Sequence, residues 1–350
     1  MFRYLNNHLL ILTTLAATLL STLAYPIHAD DGFRVVFGSC IQQDQPVPLL
    51  QSMADTRPQL TLLLGDNIYA DTNDREVMLQ KYNTLRSLAA FQRLQSAAPM
   101  LAVWDDHDFG VNDGGSDYAL REQSQQLFQD FFGIPQNSPL RQQQGVYSAQ
   151  TFGPPGQRVQ VILLDARYHR TALRTGPRRT GGPYYPSTTP GETMLGAAQW
   201  KWLEECLREP AEVRLIGCGI QIIADSAGQE TWANMPAERE RLFDLFRQTS
   251  AAGVILLSGD RHWAELSVER KLTGYPVYEL TSSSLNQKHP RGTPTVNTKR
   301  AVPTTWHEEN FGQIDVNWTS DDPVITLQII ASNGSVPLAT QLKLSQLQPD

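Results

Sequence analysis

The sequence predicts an α/β fold on three observations. Short apolar runs rich in Val, Ile and Leu recur at 34–38, 60–64, 101–104, 159–164, 213–217 and 254–258. Most are continuous rather than alternating, as in strands covered on both faces, where parallel pairing is the rule. Between them lie segments of helical period. Residues 75–98 carry Val77, Met78, Leu85, Leu88 and Leu94, and 237–249 carry Leu242, Phe243, Leu245 and Phe246; 117–132 and 197–207 are further candidates. Such alternation of strand and helix implies a largely parallel central sheet.

From residue 275 the pattern changes. The runs 275–281, 311–318 and 324–331 are short and alternating and read as antiparallel strands. Ser332-Asn333-Gly334-Ser335 supplies a turn into a last strand near 338–344. The stretches 170–191 and 285–305 are rich in Pro, Gly and Thr and read as long functional or mobile loops. No repeat and no sharp change of composition divides the chain, so residues 30–350 read as one domain.

The 350 residues include 29 basic and 36 acidic side chains, a net charge of -7. No basic stripe is present to contact a nucleic-acid backbone, so a nucleic-acid partner is not expected. A small phosphorylated substrate remains compatible, because bound metal ions reverse the local sign of charge. Arg3, the apolar segment 9–23 and the Ala-Tyr-Pro-Ile-His-Ala that follows have the form of a secretory signal peptide over residues 1–29, cleaved after Ala24 or Ala29. An uncleaved anchor is the alternative. No later stretch is long and apolar enough to span a bilayer, so the mature chain is expected to be soluble and exported, to the periplasm or the medium.

The three cysteines are an odd number for an oxidising compartment. Cys206 and Cys218 lie close in sequence and can pair, which leaves Cys40 as a buried apolar residue or as a metal ligand.

In open α/β sheets, ligands bind beyond the carboxyl ends of the strands. Ser39-Cys40 follows the first apolar run and Gly65-Asp66-Asn67-Ile68-Tyr69-Ala70-Asp71 the second. Asp105-Asp106-His107-Asp108 follows the third, Asp165-Ala166-Arg167 the fourth, and Gly259-Asp260-Arg261-His262 the last. A single Asp in such a place is usually a turn former or a helix cap. The repetition points elsewhere. Acids crowded at adjoining strand ends repel one another and are costly to desolvate, and a multivalent cation relieves both penalties. Carboxylate oxygens suit hard cations, whereas imidazole, thiolate and phenolate admit a transition metal.

Gly65-Asp66-x-x-Tyr69 and Gly259-Asp260-x-His262 resemble metallophosphoesterase signatures. The ordered set FGSC (37–40), GDNIYAD (65–71), WDDHD (104–108), LDARY (164–168) and SGDRHWAE (258–265) resembles the PhoD-like alkaline phosphatases in particular, as does NFG at 310–312. This resemblance implies a four-layer αββα sandwich, with a C-terminal antiparallel extension and a dinuclear site at the strand ends. It implies that Asp66 bridges two metals and that Cys40 and Tyr69 bind a trivalent iron. Asp106 would hold a second, divalent metal, calcium by resemblance with other divalent ions possible, and His107 would be the general acid. Asp260 and His262 stand where the superfamily has Gly-His-x-His, and which metal each would bind stays open.

The activity implied is that of an exported phosphatase, in which a metal-bound hydroxide attacks a phosphate monoester or diester. The alternatives are a phosphodiesterase or phospholipase type of metallohydrolase, or a metal-binding module without catalysis. Arg167 either holds a substrate phosphate through its planar guanidinium or is a strand-end surface residue. Asp108 either orients His107 or caps the next segment, and Asp71 is expected to support Asp66. Asp165 is expected to be structural, Trp104 and Trp263 to pack against the site, and His169, His289 and His307 to lie in loops.

Overall fold

The computed structural model describes residues 32–225, 228–289 and 296–349, so the expected signal peptide, residues 1–29, lies outside the described residues. Among them the first strands are β1 (Phe33–Gly38), β2 (Leu60–Leu64), β3 (Met100–Val103), β4 (Ser148–Phe152), β5 (Val159–Leu164), β6 (Thr175–Arg179) and β7 (Gly182–Tyr184). They continue with β8 (Val213–Cys218), β9 (Val254–Ser258), β10 (Ala264–Glu269), β11 (Val277–Ser282), β12 (Asn310–Asn317), β13 (Val324–Ala331) and β14 (Leu338–Lys343). The helices are α1 (Pro48–Asp55), α2 (Arg75–Ser87), α3 (Ala89–Ala97), the single turn α4 (Asp106–Phe109), α5 (Arg121–Phe131), α6 (Gly196–Arg208) and α7 (Pro236–Gln248).

All six apolar runs form strands, but not in one sheet. β1, β2 and β3 run parallel in a first sheet of order β14-β13-β12-β1-β2-β3. β5, β8 and β9 run parallel in a second, of order β10-β11-β9-β8-β5-β4. Periodicity suggests one central sheet; the two sheets packed face to face are those of the four-layer sandwich that the resemblance implies. Continuous apolar character reports that a strand is covered on both faces; it does not say whether helices or another sheet do the covering. Leu64 of β2 reaches across the interface to β8, where a Cβ on Gly217 would lie 2.7 Å from the leucine methyl. Glycine at that point lets the two sheets close.

Helices cover both outer faces and complete the four layers. On the first sheet α1 rests against β12 and packs with α3, while α2 packs with α5. On the second, Gln160 of β5 donates to the Cys206 carbonyl of α6 at 2.8 Å. α7 lies beside α6, with the Arg241 guanidinium 4.3 Å from the Trp200 ring centre.

Other expectations shift in detail. The helix expected over 75–98 is two helices, because Leu88 is extended, with ψ of 121°. Gln92 Nε2 donates to the Arg86 carbonyl at 3.0 Å and satisfies a group the break exposes. The helix expected over 117–132 begins at Arg121. The strand expected to be antiparallel at 275–281 is β11, which pairs antiparallel with β10 but parallel with β9. Its Glu279 is buried, accepting the backbone N–H groups of Ile222, Ile223 and Ala224. The C-terminal strands form the expected antiparallel extension, joined to β1 through β12. α1, β4, β10 and the hairpin β6–β7 inside 170–191 are additional to the sequence reading; Pro48 in the first turn of α1 was the available signal.

All three cysteines are free thiols. Cys206 lies beside Gln160 at the start of β5, whereas Cys218 pairs opposite Leu164, four residues along that strand. At about 3.3 Å per residue this separates them by ~13 Å, beyond the ~7 Å Cα limit for a disulfide. The pairing that the sequence allows is not formed.

Candidate metal centre

The loops after β1, β2, β3 and β9 converge at one end of the sandwich. Gly65, at φ 91°, permits this, because a Cβ there would lie 2.4 Å from the Asp105 Cβ. Eight non-glycine residues have positive φ among the described residues, and six of them adjoin this place: Cys40, Asp66, Asp71, Asp113, Asp260 and His262. Each such conformation costs on the order of 1 kcal/mol or more, and it persists only where surrounding contacts hold it.

Asp108 is one source of those contacts. Its Oδ1 accepts the backbone N–H of Asp105 at 2.7 Å and of Asp66 at 3.1 Å. Its Oδ2 accepts the Asn67 backbone N–H at 3.3 Å and the Asn67 side-chain amide at 2.5 Å. Asp108 thus caps the α4 turn and ties the β2 and β3 loops together; of its two expected roles, the structure shows capping. Burial pushes its pKa up to about 7.

Two adjoining donor sets result. In the first, ligand atoms of Cys40, Asp66 and His262 lie within 4.8 Å of one another. The Tyr69 hydroxyl joins this set, 3.3 Å from Asp66 Oδ2 and 2.9 Å from His262 Nε2. In the second, the trio Asp66, Asp106 and His107 and the trio Asp105, Asp106 and Asp260 each meet the same 4.8 Å limit. Asp66 belongs to both sets. His262 therefore groups with Cys40 and Tyr69, and Asp260 with Asp105 and Asp106.

The chemistry of these atoms fits cations. Asp66 Oδ1, Asp105 Oδ2 and Asp106 Oδ1 are buried with no hydrogen-bond partner among the described residues, and a bound cation satisfies such oxygens. Burial raises the pKa values of Asp66, Asp105 and Asp260, and neighbouring carboxylates raise them further. Burial likewise drives up those of the Cys40 thiol and the Tyr69 phenol. Burial and the Arg261 charge lower His262 to about 4, which keeps its imidazole neutral and able to ligate. Asp106 is the exception: burial raises it, but Arg167 and His107 together draw it down to about 2.

His107 meets the distance limit of the second set and is also tied to Asp71. Its Nδ1 is 2.7 Å from Asp71 Oδ1, and its ring centre is 4.3 Å from that of Tyr69. Burial lowers its pKa, but the bond to Asp71 and the charges of Asp66 and Asp106 outweigh that and raise it to about 10. Asp71, expected to support Asp66, supports His107 instead.

Arg167 departs most from expectation. It is fully buried rather than exposed to a substrate. Its Nε donates to Asp105 Oδ1 at 2.6 Å and its Nη1 to Glu230 Oε1 at 2.9 Å, while Nη2 lies 2.8 Å from Glu230 Oε2 and 3.8 Å from Asp106 Oδ1. The guanidinium is engaged with the carboxylates of Asp105, a member of the second donor set, and Glu230. Asp105 and Glu230 were missed as functional residues. Asp105 was visible in the acidic quartet but not distinguishable from its neighbours, and Glu230 lies in a stretch without pattern. Asp165 is structural as expected, accepting the backbone N–H groups of Val146, Arg167 and Tyr168. Trp104 and Trp263 are buried.

Two facing mixed sheets, flanked by helices, with a thiol, a phenol, imidazoles and carboxylates gathered at the strand ends, define a protein of the metallophosphoesterase class. Within it, residues 35–323 match the family described as PhoD-like phosphatase, and the chain belongs to that family. Alkaline phosphatase D of Bacillus subtilis (strain 168) is 24% identical over 290 residues, 69% of this chain and 48% of that protein. The chain thus spans about half the length of the curated relative it matches. The solved structure of PhoD superposes with a TM-score of 0.68 at 19% identity, covering 91% of this chain and 70% of that one. GAP50, the anchor in the inner membrane complex of Plasmodium, gives 0.57 at 12% identity over 90% and 89% of the two chains. A dimetal phosphatase from Danio rerio gives 0.53 at 13% identity over 92% and 100%. At these identities the likeness to solved structures is one of fold. Among the described residues, no helix is long and apolar enough to cross a membrane.

Proposed function

We propose that the chain is an exported, metal-dependent phosphatase acting on small phosphate monoesters, diesters or both. The observation that carries this reading is the pair of donor sets sharing Asp66, with His107, grouped in the second, held by Asp71. Cys40, Asp66, Tyr69 and His262 suit a trivalent iron, because thiolate and phenolate donate charge strongly to it. Asp66, Asp105, Asp106 and Asp260 suit calcium or another hard divalent ion. Such cations, when bound, stabilise charge on a transferring phosphoryl group and lower the pKa of water.

The chain's own residues supply the rest. Asp71 accepts the Nδ1–H of His107, which fixes the ring and leaves the Nε2 proton for the departing alkoxide oxygen. Arg167 keeps Asp106 ionised and holds Asp105 in place. Trp104 and Trp263, packed behind the loops, keep bulk water from that side.

A metal-binding module without catalysis would need the carboxylates but not an imidazole tied to Asp71. Fold does not decide between the two readings, since one structural neighbour is an anchor and another a dimetal phosphatase. The experiment is hydrolysis of nitrophenyl phosphate and bis(nitrophenyl) phosphate by purified protein. Turnover of at least one ester, abolished by chelation and by His107→Ala with metal retained, supports the reading. Metal-loaded wild-type protein inert toward both esters would sink it. Export through residues 1–29 is tested separately, by fractionating expressing cells and sequencing the N-terminus of the exported chain.

A further inference from the structure

Arg167, one candidate in the sequence for a substrate phosphate, is engaged with Asp105 and Glu230. Arg170 is also unsuited: it is buried, its Nη2 on the Asp113 and Gly114 carbonyls at 2.6 and 2.8 Å and 3.0 Å from Glu230 Oε1. Arg261 differs from both. Its side chain keeps 13% of its surface exposed, and its Nη1 is 2.5 Å from Asp260 Oδ2. Its Nε is buried with no hydrogen-bond partner among the described residues. The guanidinium lies 5.1 Å from the centre of the Trp263 ring, which is itself buried.

These contacts place a positive charge at the rim of the centre, because Asp260 groups with Asp105 and Asp106. They also restrain it: the aromatic ring supports the planar group and one ion pair fixes its rotation. The exposed part of a guanidinium held in this way suits a phosphate oxygen.

We infer that Arg261 is a substrate-binding residue that receives a non-bridging oxygen of the phosphoryl group, within the phosphatase site proposed above. A phosphate monoester has three such oxygens, so were each of two bound cations to hold one, a third would remain for Arg261. A diester has only two, and its remaining oxygens are uncharged ester links. Arg261 therefore matters more for monoesters than for diesters, and it contributes to binding of inorganic phosphate, the product.

The test uses the metal-loaded protein, its Arg261→Ala and Arg261→Lys variants, calorimetry with inorganic phosphate, metal analysis, and kinetics on one monoester and one diester. Arg261→Ala is expected to weaken phosphate binding at least about tenfold with metal content unchanged. The same variant should reduce monoester kcat/KM more than diester kcat/KM. Arg261→Lys, which restores the charge without the fork, should fall between. Unchanged phosphate affinity in Arg261→Ala overturns the inference, as does loss of metal from that variant, which would assign the guanidinium to Asp260 alone. Wild-type protein that binds no phosphate and cleaves neither ester removes the phosphatase reading as well, so the two failures are distinguishable.

Discussion

Asp71 Oδ1 lies 2.7 Å from His107 Nδ1, and this contact joins the loop after β2 to the turn after β3. In the proposed mechanism the pair would hold His107 as a fixed proton donor. Replacing His107 with Ala should lower turnover about a hundredfold or more while metal content stays as in wild type. Slow leaving groups should suffer most, because an activated nitrophenolate departs without help. Metal loss from His107→Ala would make it a ligand.

Asp71→Asn separates position from charge. Asp71 is one of the groups that raise the His107 pKa to about 10. A general acid works only when protonated, so activity falls as pH rises through its pKa. Removing the carboxylate charge lowers that pKa, and the alkaline limb of the pH–rate profile should move to lower pH. A profile with an unmoved limb would show that another group gives up the proton.

Arg167 should behave as a structural cation rather than as a substrate contact. Arg167→Met would leave Asp105 buried without its counter-charge and Glu230 with Arg170 alone. Breaking such a pair costs about 3–5 kcal/mol, so urea unfolding should show a loss of that order. Weakened metal binding should accompany it. A stable variant with full metal and only a raised KM would return Arg167 to the substrate.

Strand ends were legible because each apolar run stops at a residue that continues badly in a sheet, such as Gly38, Gly65 or Asp105. Cys40, Asp66, Asp106, Asp260 and His262 could be gathered from those stops alone. What surrounds them could not. Arg167 follows its strand as any exposed arginine would; its burial depends on Asp105 and Glu230, 62 and 63 residues away. Arg261 is similar, since its spare N–H is visible only once Trp263 and Asp260 are placed. The division into two sheets was legible only through the family resemblance, as periodicity records burial but not the partner.

Metal loading should release protons. Burial and mutual repulsion raise the pKa values of Asp66, Asp105, Asp260, Cys40 and Tyr69, so the metal-free cluster retains protons that ligation must displace. Affinity for a divalent cation should therefore rise with pH. Calorimetry in buffers of different ionisation enthalpy should report a net proton release. A pH-independent affinity with no buffer dependence would mean that the ligands are already ionised.

The sharpest prediction concerns the first donor set, where a thiol and a phenol meet one carboxylate. Cys40 Sγ and the Tyr69 hydroxyl lie 3.4 and 3.3 Å from the same Asp66 oxygen. Hard divalent ions prefer carboxylate and carbonyl oxygens, so this pair is out of place around calcium or magnesium. Thiolate and phenolate bonds to iron(III) absorb visible light by charge transfer from ligand to metal. Active protein purified without added metals should accordingly be coloured. Tyr69→Phe should remove or shift the band and weaken iron retention, because the hydroxyl is lost while the ring against His107 is kept. Asp106→Ala, on the other set, should leave the colour largely intact and act through the second metal. A calcium chelator should reproduce that effect, and added calcium should reverse it in the wild type but not in Asp106→Ala. Fully active, colourless protein containing only zinc or magnesium would end the iron–calcium assignment while leaving the roles of Asp66 and His107 to be tested on their own.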